Sequence, residues 1–177
     1  ELRNLMYTAQ LTNPCPFAIR YPRGRGVLEN WNKPFQKIQI GKGQMITKGK
    51  NIAVISIGHI GNMIIDINAN LKSKELEVGH YDIRFLKPLD NNLLHTIFKN
   101  YKYILTLEDG CLRGGMGSAI LEFASDNNYQ NKITRFGVPD MFIEHGSQKE
   151  QREECGYSKQ CVLNKINTII NELENHN

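Results

Sequence analysis

From residue 37 onward, short apolar runs suited to strands alternate with longer stretches whose apolar residues fall at helical spacing. Alternation of this kind leads to a mostly parallel sheet with helices crossing over on both faces. Residues 37–46 read as an edge strand, and Lys48-Gly49-Lys50-Asn51 turns the chain into 52–57, a run apolar enough to be central. So short a turn predicts antiparallel pairing between these two strands. Gly58 ends the second, after which Ile60, Met63, Ile64, Ile67 and Leu71 follow the i, i+3, i+4, i+7 pattern of a helix packed on a sheet. Further strands are expected over 76–85, 103–107 and 133–136. Asp90 is placed to cap a helix carrying Leu93, Leu94, Ile97 and Phe98, and Ile120, Leu121, Phe123 and Ala124 mark another. Ser147 and Glu150 fit a capping box, Gly156 closes the helix it starts, and Val162, Ile166, Ile169, Ile170 and Leu173 mark the last amphipathic helix.

The first thirty residues break this rhythm. Leu2, Leu5, Met6, Ala9 and Leu11 have helical spacing, and Pro14 and Pro16 stop the helix by removing donors and restricting their predecessors. Phe17-Ala18-Ile19-Arg20-Tyr21 then has strand composition and runs into the basic glycine loop Pro22-Arg23-Gly24-Arg25-Gly26. Around Trp31 the breakers Asn30, Asn32 and Pro34 read as an interdomain linker. The division expected is therefore 1–30, the end of one domain and the start of a linker, and 31–177, a second domain. A helix and strand without a sheet of their own cannot offset their ordering cost, so residues 1–30 are expected to be mobile or docked on a neighbour. Glu1 is not an initiator Met and no signal-like apolar region follows it, as expected of a cut inside a longer protein.

Composition narrows the function classes. A chain of 177 residues with 40% hydrophobic and 23% charged content can bury a core and is not disordered. Its net charge of +4 is spread along the chain rather than clustered, which argues against nucleic acid and leaves anionic small molecules. No apolar stretch approaches the ~20 residues that span a bilayer, so no membrane partner is expected. Cys15, Cys111, Cys155 and Cys161 have neither zinc-ligand nor C-x-x-C spacing and read as free thiols of a reducing compartment.

One anion site stands out. Arg20 leaves a strand end beside a glycine loop, and its planar fork matches a phosphate bidentately. A solvated basic turn or an interdomain ion pair is the plainer reading of the same residues. The loop 112–118, with Gly114, Gly115, Gly117 and Ser118, lies between a strand and a helix, where a phosphate could rest. It matches neither phosphate-loop fingerprint, and close strand-to-helix packing explains its glycines better. Gly58-His59-Ile60-Gly61 fails those fingerprints too. Adjacent Glu108 and Asp109 at a strand end point to opposite sides, which favours helix capping over paired acid and base work. His59, His80, His95, His145 and His176 are scattered without partners at fixed spacing and read as surface or core histidines.

Several of these segments occur in an order that resembles a known family. Phe17-Ala18-Ile19-Arg20-Tyr21-Pro22-Arg23-Gly24, Ile40-Gly41-Lys42-Gly43 and Asp82-Ile83-Arg84-Phe85-Leu86-Lys87-Pro88-Leu89-Asp90 are followed by Thr106-Leu107-Glu108-Asp109, Gly114-Gly115-Met116-Gly117-Ser118 and Gly137-Val138-Pro139-Asp140. Together they resemble the C-terminal part of the 1-deoxy-D-xylulose-5-phosphate synthases, a transketolase-like family, over nearly the whole chain. The resemblance implies a three-layer α/β sandwich around a mostly parallel five-stranded sheet with one antiparallel edge strand. It places residues 1–30 at the end of a pyrimidine-binding domain and 31–177 in a transketolase C-terminal domain. The family's full-length enzyme is a cytoplasmic homodimer that uses thiamine diphosphate and Mg2+ to condense pyruvate with glyceraldehyde 3-phosphate, releasing CO2, for non-mevalonate isoprenoid and thiamine precursor synthesis. By the same resemblance Arg20 grips the phosphate of glyceraldehyde 3-phosphate, with Arg23 assisting. The cofactor-binding and metal-binding residues lie upstream of Glu1, so this chain alone is expected to bind neither group and to be inactive, supporting dimer and domain packing. Transketolases, 2-oxoacid dehydrogenase β-subunits and a non-catalytic dimerisation module are the alternatives.

Overall fold

The computed structural model describes residues 1–11, 15–22, 24, 26, 32–71 and 78–175. Its centre is β2 (Ile52–Ser56), buried at all five positions because helices cover both of its faces, and flanked at both edges by parallel neighbours: β3 (Gly79–Asp82) and β4 (Tyr103–Cys111). β5 (Lys132–Val138) extends the sheet beyond β4, and β1 (Gln44–Thr47) closes the other side, giving the order β1-β3-β2-β4-β5. β1 alone is antiparallel, as expected of the edge strand, but its partner is β3 and not β2. The hairpin read from the short 48–51 turn does not form because both edges of β2 are taken. Asn51, in the left-handed region at φ 58°, accepts from the N–H groups of Lys102 and Tyr103, so the turn delivers the chain to β4 instead.

Helices cover both faces. On one, α2 (Asn62–Leu71) and α6 (Lys159–Glu174) bury Ile64, Ile67, Val162, Ile166 and Ile169 against Ile52, Val54, Leu105 and Leu107. On the other, α3 (Asn91–Asn100) and α4 (Met116–Asp126) bury Leu94, Ile97, Phe98, Met116 and Ile120 against Ala53, Ile55, Tyr81 and Ile104. Alternate residues of each strand serve opposite cores, as the pleat requires. This is the three-layer sandwich that the alternation calls for. Local signals act as read: Asp90 accepts from Leu93 N–H at 3.1 Å and caps α3. The Ser147 and Glu150 box starts α5 (Gln148–Glu154), and Gly156 supplies a φ of 73° beyond it. Asp90 also accepts from Gly43 N–H at 3.1 Å and Lys42 Nζ at 3.3 Å, which ties the 41–43 segment to the start of α3.

The N-terminal helix α1 (Leu2–Gln10) ends before Pro14, which lies outside the described residues together with Trp31 and the rest of 27–31. α1 docks on the chain itself. Thr8 Oγ1 accepts from Ile38 N–H at 2.8 Å, Asn4 Oδ1 from Gln36 N–H at 3.1 Å, and Tyr7 stacks on Phe35 with centroids 5.3 Å apart. The strand expected over Phe17 to Tyr21 does not form: residues 15–22 are irregular. They run across the strand ends rather than along a sheet edge, with Phe17 edge-on to Phe85 at 6.2 Å and Arg20 reaching β4, so they meet no ladder to join. Among the described residues, no helix is long and apolar enough to cross a membrane.

Candidate functional site

The C-terminal ends of β2, β3 and β4 point the same way, and in parallel sheets ligands collect at that edge. Arg20 arrives there. Its Nη2 donates to the carbonyl oxygen of Asp109 at 3.1 Å, while the residue remains exposed. Among the described residues no carboxylate lies within ion-pair distance of it. Arg23, the other arginine of the loop, lies outside the described residues.

Glu108 and Asp109 leave β4 in opposite directions. Glu108 turns inward and is only 4% exposed. Its two carboxylate oxygens accept from Met116 and Gly117 N–H, each at 2.8 Å, so one buried side chain satisfies the first orphan donors of α4. The loop 112–118 is built around that contact. A Cβ on Gly115 would overlap the Glu108 carboxylate and the Cys111 carbonyl, and one on Gly117 would come within 2.7 Å of Thr106 Oγ1. Ser118 Oγ accepts from Gly114 N–H at 3.0 Å and donates to Leu112 O at 2.9 Å, and Arg135 Nη1 donates to the same carbonyl at 2.7 Å. These glycines serve close packing, and the anion at this helix N-terminus is the protein's own carboxylate.

Asp109 turns outward into a cluster that joins three distant parts of the chain. Tyr157 Oη donates to Oδ1 at 2.7 Å; His59 Nε2 and Arg152 Nη2 lie 3.1 and 3.4 Å from Oδ2. The hydrogen bond from His59, then that from Tyr157 and the Arg152 charge, hold the Asp109 carboxyl well below the usual carboxylate range against the opposing effect of burial. Burial, reinforced by the bond to Asp109, pushes the Tyr157 phenol up. Arg152 and Tyr157 escaped the sequence reading. Only His59 carried a signal, because Gly58-His59 follows a central strand and so must reach the same edge as Glu108-Asp109.

The remaining histidines are placed as their scattered spacing implied. His80 is 2% exposed; its Nε2 meets Ser56 Oγ at 2.8 Å, its Nδ1 has no partner, and burial pushes its pKa down to about 4. His95 Nδ1 meets Tyr129 Oη at 2.8 Å, His145 is exposed, and His176 lies outside the described residues. Among the described residues, no three His, Cys, Asp and Glu side chains group as a metal site, and Glu108 fills the N-terminus of α4.

Comparison with known proteins agrees with this geometry. The model of the "Transketolase, C-terminal domain" family matches residues 41–162. A 1-deoxy-D-xylulose-5-phosphate synthase of Cytophaga hutchinsonii is 52% identical over 170 residues, 96% of this chain and 27% of that protein. The Phocaeicola vulgatus synthase is 53% identical over 166 residues, covering 92% and 26%. The chain thus spans about a quarter of the length of the curated relatives it matches. Among solved structures, a split-gene transketolase described as an inactive β4 tetramer superposes with a TM-score of 0.67 at 22% identity, over 75% of this chain and 43% of that one, a likeness of fold.

Proposed function

The chain belongs to the transketolase C-terminal domain family and aligns with the C-terminal part of the 1-deoxy-D-xylulose-5-phosphate synthases, and from that premise we propose that it serves their reaction by gripping the acceptor's phosphate through Arg20. In that reaction the full-length protein, a cytoplasmic homodimer using thiamine diphosphate and Mg2+, joins a two-carbon unit of pyruvate to the aldehyde of glyceraldehyde 3-phosphate, and CO2 leaves. Its product feeds non-mevalonate isoprenoid and thiamine precursor synthesis. The present chain supplies the phosphate grip and domain packing and does not carry out the condensation alone. Arg23 stands beside Arg20 in the sequence as a second donor to the same phosphate.

The observation that carries this reading is the state of Arg20: an exposed guanidinium with one N–H committed to a neutral carbonyl and its charge not cancelled by a carboxylate within ion-pair distance among the described residues. In the full-length enzyme, Arg20→Ala is expected to lower kcat/KM for glyceraldehyde 3-phosphate roughly ten- to several-hundred-fold, the worth of one or two charge-assisted hydrogen bonds at ~1.5 to 3 kcal/mol each. Arg20→Lys recovers part of it, since an ammonium keeps the charge and loses the fork. An unphosphorylated aldehyde is used equally by wild type and variant. An equal loss with both aldehydes would assign Arg20 to the fold and remove the phosphate reading.

A further inference from the structure

We propose that the end of β4, residues Asp109 and Gly110, is the positioning element for the Arg20 guanidinium, so that the C-terminal domain aims a phosphate grip carried by the N-terminal segment. The inference rests on the phosphate reading of Arg20 and adds to it the part that holds the fork in place.

Three features of the β4 end converge on this role. First, the acceptor that holds Arg20 Nη2 at 3.1 Å is the backbone carbonyl of Asp109. A neutral acceptor orients the fork without cancelling its charge, whereas a carboxylate would compete with an incoming phosphate. Second, the peptide bearing that carbonyl is fixed from both sides. The inward Glu108 is anchored by two N–H groups of α4, and the outward Asp109 carboxylate is anchored by Tyr157, His59 and Arg152. Turning the carbonyl away would break one anchor or the other. Third, Gly110 leaves the space the guanidinium occupies. A Cβ there would stand 3.2 Å from Arg20 Nη1 and 3.0 Å from Glu108 Oε2. Glu108 is held and Arg20 is the mobile end of a long side chain, so a methyl group at 110 displaces the arginine. The outward cluster thereby acquires a use: it is the brace that keeps one carbonyl pointed at one arginine.

The test is a double-mutant cycle in the full-length synthase, with Gly110→Ala made in the wild-type and Arg20→Ala backgrounds. In the wild-type background KM for glyceraldehyde 3-phosphate is expected to rise about tenfold, the scale of one misaligned charge-assisted hydrogen bond, with kcat and the pyruvate KM within twofold. In the Arg20→Ala background the same substitution should change nothing further, a result that general damage to the fold does not produce. An unchanged KM, or an equal loss in both backgrounds, overturns the positioning role while leaving Arg20 as the phosphate ligand. Loss of the same factor with phosphorylated and unphosphorylated aldehydes in Arg20→Ala alone overturns the underlying phosphate reading instead. Should Gly110→Ala fail to fold, Asp109→Ala takes its place in the cycle. It removes the outward anchor, and the same dependence on Arg20 supports the proposal or, if missing, sinks it.

Discussion

Acidification should destabilise the domain through one buried imidazole. His80 lies mid-strand in β3, 2% exposed, with Nε2 on Ser56 Oγ at 2.8 Å and the 3-10 turn Gly58–Gly61 over it, so close that a Cβ on Gly61 would stand 3.0 Å from Nε2. A proton on the ring adds a charge and a donor where Nδ1 already lacks a partner, and burial accordingly lowers the pKa from 6.5 to about 4. Below pH 6.5 the unfolded chain takes up this proton before the folded one does. The stability is therefore present above 6.5 and is lost as pH falls toward 4. Between pH 7 and pH 5 the loss is about 2 kcal/mol, or about 4 to 8 °C in Tm for a domain of this size. Urea unfolding at pH 7, 6 and 5, comparing wild type with His80→Gln, isolates it: the amide can reach Ser56 Oγ and does not titrate, and contributions from other groups cancel in the difference. If both proteins lose the same stability over that interval, the burial of His80 is not the source and the reasoning fails.

Two further outcomes concern the paired carboxylates of β4. Glu108→Ala strips two buried N–H groups of their acceptor and should cost about 3 to 5 kcal/mol in urea unfolding, with faster amide exchange at Met116 and Gly117, while Glu108→Gln, which keeps one acceptor oxygen, costs less. Asp109, whose folded pKa is depressed, contributes stability that is present above pH ~4 and lost as the pH falls below it. Asp109→Asn should therefore flatten the acid limb of the Tm profile below pH ~4, and an unchanged limb would show that the cluster does not hold the charged form.

What was legible in the sequence is what is settled within a few residues. Asp90 and the Ser147 and Glu150 pair cap helices through contacts three residues away, and the apolar run Ile52 to Ile55 of β2 admits no exposed face. Glu108 was readable as a helix cap because its target begins only eight residues on. The partner of β1 was not. A short turn argues locally for a hairpin, and the competition for the edges of β2 is decided by β3 and β4, which arrive later in the chain. Residues 17–21 carry strand composition, but composition does not say whether a ladder lies alongside. The Asp109 cluster spans 48 residues to Tyr157 and 43 to Arg152, and no spacing rule reaches that far. Arg20 was found for its residue type beside glycines; the carbonyl that orients it, 89 positions away, was beyond reach.

The tethered carboxylate at the start of α4 has a consequence for ligand competition. Any free phosphate or diphosphate drawn to that helix end must displace a group held there by the chain itself, whose local concentration no solute matches. It must also leave Glu108 buried with its charge unpaired, a penalty that added ligand does not reduce. This helix end is therefore closed to phosphorylated solutes, and raising the anion concentration will not open it.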